Sequence, residues 1–389
     1  MNDMGAANAV QSTKIPSEAL PQSEEEVLAW LRLARSRRVG PSTFIRLIRE
    51  HGNAEAALAA LPKIASDAGA RGYAPCSVAQ AEAELEAGFK KGAEILCLCA
   101  PEYPSLLALI SDPPPLLWAL GNPRIVAQPS IGLVGARNAS SLGQRMARIL
   151  AEELGRAGYV IASGLARGVD TAAHEASLET GTIAVLAGGV ETVYPRENKG
   201  LWEKLAAEGL IISEAPIGTA PQARHFPKRN RIISGMSLGI VVIEGAAKSG
   251  SLITARNALD QGREVMAVPG SPLDPRASGC NMLIRDGAGL VRSGADVIEH
   301  LSGPAQGSLP LRATPAPAQR AKLAPALDKD SSAPQQTATI MSLLSTAPVA
   351  EDTLIRETGL ATSDAMEIIF EMELSGEIQR HPGGMLSRG

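Results

Sequence analysis

From Ser130 to about Leu301, short apolar runs alternate with stretches of helical periodicity, and this alternation restricts the fold more than any other feature. Ile131–Val134, Tyr159–Ala162, Ile183–Ala187, Leu210–Ser213, Ile240–Ile243 and Glu264–Val268 read as strands. Helices fit Leu142–Ala157, Asp170–Thr180, Gly200–Glu208, Ser251–Gln261 and Gly294–Leu301. The strands are apolar at consecutive positions rather than at every second one. Strands of that kind are covered on both faces, and regular strand–helix alternation joins them in parallel. The expected class is α/β: a Rossmann-like, doubly wound, mostly parallel sheet core over residues 93–301. Ligands of such sheets sit beyond the carboxyl ends of the strands.

The flanks read differently. Residues 1–23 are small and polar with Pro16 and Pro21, and are expected to be a disordered tail. Residues 24–92 read as a small helical domain, with Val27, Leu28, Leu31 and Ala34 on one helix face. Gly40-Pro41 breaks that helix, Pro41 suits the first turn of the next, and Gly52 suits its end. The pair resembles a helix-hairpin-helix of the SAM-like kind, although this signal alone favours a plain helical hairpin. Glu94–Cys99 reads as a short strand, and the proline-punctuated segments from Tyr103 to Trp118 as connectors. Residues 302–336, rich in Pro, Ala, Ser and Gln, read as a linker. Residues 337–389 read as three helices and a terminal hairpin, a winged-helix pattern. Its third helix carries Asp364, Glu367, Glu371 and Glu373 and no cation, which favours protein contact over DNA reading.

Charge and cysteine content narrow the chemistry. The net charge is -4, so the whole chain is no polycation, and nucleic-acid binding needs a local patch. Arg224, Lys228, Arg229, Arg231, Lys248 and Arg256 face Glu244 alone within one stretch. Phe226-Pro-Lys-Arg-Asn-Arg231 puts an aromatic beside three cations: charge for phosphates, a ring face for bases, as single-stranded nucleic acid requires. Cys76, Cys97, Cys99 and Cys280 lack zinc-site spacing and are expected as reduced thiols, with no metal and no cofactor. No apolar run is long enough to span a bilayer, so the expected location is the cytoplasm.

Four loops follow strands. Gly135-Ala-Arg-Asn-Ala-Ser-Ser141 opens a helix whose amides attract an anion, with Arg137 as a planar donor. The full dinucleotide fingerprint and its acidic ribose partner are missing, as is a Walker lysine. Ser163 and Gly164 end the second strand; Asp170 is placed to cap the next helix, and Arg167 either faces a ligand or pairs with a carboxylate. His174 packs or caps within that helix. Arg196, in Tyr194-Pro-Arg-Glu-Asn198, is assigned to holding its loop through Glu197 or Glu191. Lys248-Ser-Gly-Ser251 offers amides and hydroxyls as a phosphate cradle. Together these loops and the basic run favour an extended phosphodiester over one small molecule.

In order, Gly135-Ala-Arg, Ser163-Gly-Leu-Ala-Arg-Gly-Val-Asp170, Tyr194-Pro-Arg-Glu-Asn198, Phe226-Pro-Lys-Arg-Asn-Arg-Ile-Ile-Ser-Gly235, Ser249-Gly-Ser-Leu-Ile-Thr254, Val268-Pro-Gly270 and Asn281-Met-Leu-Ile-Arg-Asp-Gly287 resemble the DNA-processing protein A family (DprA, also called Smf). The resemblance implies sequence-independent single-stranded DNA binding, a homodimer, RecA recombinase loaded onto DNA in natural transformation, and no catalytic turnover. It implies a phosphate role for Arg137 and a base contact for Phe226. Lys228, Arg229, Asn230, Arg231, Lys248, Ser249, Gly250 and Ser251, with Ser163, Gly164 and Arg167, complete the expected DNA surface. The chain departs from the usual Gly-Ser-Arg at Gly135-Ala-Arg, and Gln222-Ala-Arg-His225 is less basic than in some members.

Two rivals stand beside this. The core also resembles nucleotide phosphoribohydrolases, but Ile253 and Thr254 stand where their catalytic acid would be; only Glu214 and Glu244 end strands nearby. A pure interaction protein would use the same patch on an acidic partner.

Overall fold

The computed structural model describes residues 19–302 except Ala70, together with Ile15 and scattered positions from Ile340 to Arg388. The chain divides into two compact units, residues 1–308 and 309–389.

The first unit is built on a sheet with nine strands among the described residues. These are β1 (Glu94–Cys97), β2 (Leu116–Gly121), β3 (Ser130–Gly135), β4 (Val160–Ser163), β5 (Thr182–Val185), β6 (Leu210–Ser213), β7 (Gly239–Glu244), β8 (Glu264–Ala267) and β9 (Gly289–Leu290). Their order is β1-β2-β6-β5-β4-β3-β7-β8-β9. Pairing is parallel from β6 to β9, and antiparallel where β2 joins β1 and β6. The chain winds outward from β3 in one direction through β4, β5 and β6. It then returns to β3's other side as β7. The switch point therefore lies between β3 and β7, where Gly132 pairs with Ile240 and Leu133 with Val241.

Alternate residues of these strands feed two cores. Ile131, Leu133, Ile161, Val241 and Ile243 pack against α5 (Ser141–Arg156), α6 (Val169–Ser177) and α11 (Gly294–Ser302). Val134, Ala162, Ile240 and Val242 face the opposite layer, with Ile232, Ile233 and Met236 of α8 (His225–Met236) and Ala255 and Ala258 of α9 (Gly250–Asp260). The remaining helices of the core are α7 (Lys199–Glu208) and α10 (Ser278–Arg285).

The sequence reading ends a connector at Trp118, but Leu116–Gly121 is a strand. This is β2, paired with β1 over Leu116–Ala119 and with β6 over Trp118–Gly121. Pro113 to Pro115 stop just before it, where proline costs no ladder bond. The expected α/β class and mostly parallel sheet are present.

Residues 24–90 form α1 (Glu24–Arg35), α2 (Pro41–His51), α3 (Ala54–Asp67) and α4 (Val78–Lys90). Gly40 and Pro41 begin α2, and Gly52, at φ 86°, ends it as expected. Trp30 of α1 meets Phe44 of α2 edge-on, ring centroids 5.0 Å apart. Buried α1 residues also include Leu33, a wider face than the sequence pattern outlines. Glu84 of α4 joins this bundle to the sheet: it pairs with Arg35 at 2.8 Å and accepts from Trp118 Nε1 of β2 at 2.8 Å. Trp118 also fills the place of any side chain at Gly88. Ile15 and Ala19 belong to the same core; residues 1–14 and 16–18 of the expected tail lie outside the described residues.

The second unit contains a three-stranded antiparallel sheet in the order β10 (Val349–Ala350), β12 (Met385–Arg388), β11 (Ile378–His381). Its core gathers Ile340, Leu344, Leu354, Ile368, Ile369, Met372, Ile378 and Leu386. The terminal hairpin is as the sequence reading expects. The linker beyond Ser302, and Asp364, Glu367 and Glu371 of the acidic helix, lie outside the described residues.

Candidate nucleic-acid interface

Four segments meet at the carboxyl edge of the sheet around the switch point. The first follows β3. Gly135 has no room for a side chain, since a Cβ would lie 2.6 Å from Val169. Gly168 is equally required: its φ is 76°, and a Cβ would strike the Ala136 carbonyl at 2.4 Å. The two loops thus lean directly on one another. At the start of α5, Ser140 caps Gly143 N at 3.0 Å. Ser140 N donates to Glu244 at 2.8 Å, and the Ser140 hydroxyl donates to the same carboxylate. The anion expected at this helix terminus is therefore the protein's own Glu244. Arg137, exposed on the loop, is the group left for an external anion.

The second segment follows β4. Ser163 is fully buried and donates to the Leu133 carbonyl at 2.6 Å, so its hydroxyl is not a DNA contact. Asp170 does not cap α6 from the N-cap position, which Gly168 occupies. It lies in the first turn and accepts from Gly164 N at 3.1 Å and Ala166 N at 3.3 Å, pinning the loop. Burial lifts its pKa, against the opposing charge of Arg229. Arg167 takes the carboxylate alternative: it pairs with Glu197 and donates to it at 2.6 Å.

The third segment is α8, and here the basic run splits. Successive residues of a helix point about 100° apart, because a turn takes about 3.6 residues. Lys228 is exposed and lines a hollow of about 210 Å³ beside Glu214 and His225. Arg229 turns inward, 6% exposed. It donates to the Gly164 carbonyl at 2.7 Å, to the Val185 carbonyl, and to Asn230 Oδ1 at 3.2 Å. Its guanidinium occupies the space of a side chain at Gly164. Burial brings its pKa down to about 10. Asn230 donates to the Gly250 carbonyl at 3.3 Å. Arg231, 13% exposed, pairs with Glu214 at 2.7 Å and Asp112 at 3.2 Å. Arg231 is thus held by its carboxylates, a correction to the expected basic run, and Arg229, which lines the larger cleft 6.0 Å from the Phe226 ring centroid, has its donors committed to the loops beneath.

Phe226, in the first turn of α8, remains half-buried at the rim. The Arg137 guanidinium lies over its ring, 4.8 Å from the centroid. Tyr194 also approaches this ring, with centroids 5.7 Å apart and planes tilted 51°. The fourth segment starts α9. Ser249 is its N-cap and accepts from Ser251 N at 3.3 Å. Ser251 is buried, its hydroxyl 2.8 Å from that of Ser249. Lys248 and Gly250 are exposed, and Lys248 has no ion pair among the described residues.

Arg137 and Phe226 form a wall with a cleft on each side. One, of about 610 Å³, brings Arg137 and Phe226 together with Lys248, Ser249, Gly250 and Ser251. The other, of about 440 Å³, joins them to Gly164, Arg167, Tyr194 and Arg196. Arg224 and Arg256 line neither. The sequence reading misses Arg276 of the larger cleft, which pairs with Asp274 at 2.9 Å and belongs to no recognisable pattern. Arg196, expected to hold its loop, lines the smaller cleft. Glu197 pairs with Arg167, Glu191 accepts from Gly218 N at 2.6 Å, and Arg196 forms no ion pair with either among the described residues.

The titratable groups behind this edge are inert. His174 packs in the core with Nδ1 2.7 Å from Thr182 Oγ1, and burial lowers its pKa to about 3. Burial raises the Cys97 thiol to about 12 and that of Cys280 to about 11. Glu214 and Glu244, the carboxylates a hydrolase would need, are held by Arg231 and by Ser140.

Comparison with known proteins follows the same layout. The family described as DNA recombination-mediator protein A matches residues 94–302. A DprA-like N-terminal HHH domain matches residues 24–87, and a DprA winged helix domain residues 313–384. A protein named DNA processing protein DprA from Bacillus subtilis is 46% identical over 220 residues, 56% of this chain and 74% of that protein. Protein Smf from Synechocystis is 34% identical over 326 residues, 77% of this chain and 81% of its own length. The crystal structure of DNA processing protein A from Streptococcus pneumoniae aligns with a TM-score of 0.57 at 32% identity, over 75% of this chain and 95% of that one. A structure of the Helicobacter pylori protein, described by its single-stranded DNA binding mode, aligns with a TM-score of 0.50 at 27% identity, over 54% of this chain and 95% of that one.

Proposed function

This chain belongs to the DNA-processing protein A family (DprA, also called Smf), and from that premise we propose that it binds single-stranded DNA along the two clefts at its sheet edge. The observation that carries the reading is the Arg137 guanidinium over the Phe226 ring, between two clefts at the switch point. A cation for the backbone beside an aromatic for a base suits a strand whose bases are unstacked. Every base has a flat face and every nucleotide a phosphate, so these contacts favour no sequence. In a duplex the base faces are already covered.

In this reading Arg137 and Lys248 contact phosphates, Phe226 takes a base, and Gly250 allows close approach of the backbone. Ser163 and Arg231 shape the surface from behind it, and the buried Arg229, Asn230 and Ser251 form part of the larger cleft's lining. The family's description as a recombination mediator supports a further step, in which the bound strand is handed to RecA during natural transformation. We place that work in the cytoplasm, by a homodimer, with residues 24–92 and 337–389 as flanking modules. The structural pairing of Glu214 and Glu244 supports binding without turnover.

The test is anisotropy of a labelled dT oligonucleotide, competed with duplex of equal length across a salt series. A strong single-strand preference with a steep salt slope is expected. Absence of binding at low salt overturns the reading. RecA-dependent strand exchange on the protein-bound strand then tests loading.

A further inference from the structure

The helical module of residues 24–90 reaches the sheet edge through a relay of polar contacts that ends on α8. Arg35 closes α1, and its side chain is mostly buried. Its Nε and Nη2 donate to Glu84 of α4 at 2.9 and 2.8 Å. Its Nη1 donates to the carbonyl of Glu214, the residue after β6, at 3.3 Å. The Glu214 carboxylate in turn accepts from Nη2 of Arg231 at 2.7 and 2.8 Å. Glu214 is therefore held at two points, its backbone by α1 and its side chain by α8. Asp112, on the segment that leads from the module into β2, takes Arg231 Nε at 3.2 Å. The Tyr103 hydroxyl, donating to the Pro114 carbonyl at 2.9 Å, secures that segment.

The first half of α8 depends on such contacts. No apolar side chain of α8 ahead of Ile232 is buried; the buried residues there are Arg229 and Asn230. The turn that carries Phe226 and Lys228 is thus held by polar contacts, and Arg231 is where they cross to the helical module. Arg231 follows Phe226 by five residues, so the two side chains leave the helix about 140° apart. A planar donor fork gripped along two edges cannot swivel. Gripping it on one side of α8 sets the rotation at which Phe226 reaches the rim on another. Charge alone gives Glu214 the opposite sign: it lines the hollow beside Lys228, where a carboxylate repels a phosphate.

We propose that Arg35 and Glu214 are positioning residues for the strand-binding rim, through which the helical module fixes the first turn of α8 and aims Phe226. The proposal rests on the single-strand reading and gives the module a part in it. Neither residue touches the strand. Arg35 holds the Glu214 backbone, Glu214 holds Arg231, and Arg231 sets the rotation of the helix.

The test titrates a labelled dT decamer by anisotropy, from low salt upward, with full-length wild type, Glu214→Gln and Arg35→Lys, each also in a Phe226→Ala background. Glu214→Gln is expected to weaken the decamer roughly 2- to 20-fold with its salt slope unchanged. Arg35→Lys keeps the charge but loses the fork, and is expected to weaken it in the same direction. In the Phe226→Ala background both losses are expected to vanish, because no ring is left to aim. Tighter binding by Glu214→Gln overturns the proposal, since the carboxylate then acts only by its charge. Losses of the same size with and without Phe226 overturn it too, since the substitutions then act by loosening the fold at large. Wild-type affinity of Arg35→Lys overturns the module's part in the relay. A wild type that does not bind the decamer overturns the single-strand reading itself.

Discussion

Two groups of cations meet at this sheet edge and have opposite fates. Those of α8 sit on a helix packed against the sheet, and little of their charge is left exposed at the clefts: Arg229 lines the larger one but is buried, Arg231 is paired with two carboxylates, and Lys228 lines neither. Those of the strand-end loops, Arg137, Arg196 and Lys248, all stand exposed. The densest charge in the sequence is therefore the least available charge in the fold. Helical rotation distributes neighbours in all directions, and the layer beneath claims some of them. A loop past a strand end has no layer above it.

The sharpest way to break this contrast is Arg229→Ala. Removing a buried cation orphans the Gly164 and Val185 carbonyls and leaves Asp170 without its compensating charge. The expected cost is about 3–5 kcal/mol of folding stability, read by denaturant unfolding. Unchanged stability would return Arg229 to the surface group. Next in size is Phe226→Ala, expected to cost about 1–3 kcal/mol of oligonucleotide affinity with its salt slope nearly unchanged.

The interior side of the comparison also has a pH face. In the unfolded chain His174 takes up a proton near its ordinary pKa of 6.5, and in the fold only near 3. Between these values the unfolded state holds more protons, so stability falls as pH falls, by about 1.4 kcal/mol per unit. His174→Gln is expected to flatten that part of the stability profile between pH 6 and 4. A profile parallel to wild type would mean that His174 titrates in the fold.

The smallest expected effect draws the line most directly. Arg137→Ala and Lys248→Ala should each reduce the salt slope by about 0.7, while Arg231→Ala leaves it unchanged. Lys228→Ala belongs with the first pair if the strand reaches its side of α8. Equal slopes for Arg137→Ala and Arg231→Ala would erase the distinction between the two groups.

The parallel core was legible because its strands are apolar at consecutive positions, a pattern that a doubly covered sheet accommodates. β2 was not, because three prolines precede it, and β9 has only two residues. The place of the site was legible too, since glycines and charges collect after the strands. The direction of each charge was not. It depends on the phase of α8 and on partners far along the chain: Glu244 lies 104 residues from Ser140, and Glu197 lies 30 from Arg167. No local pattern announces such pairs.

The Glu244 carboxylate against the start of α5 has one more consequence, and it concerns competition. In a Rossmann-type fold the helix start beside the switch point usually receives a nucleotide's phosphates. Here that berth is filled from within, and Gly143 has no side chain because the carboxylate lies there. A free mononucleotide meets only scattered contacts, each weak by itself. A polymer engages many of them at once, so its gain is one of effective concentration. The edge thus discriminates by connectivity: excess mononucleotide is expected to leave a bound oligonucleotide in place, as a displacement titration would record.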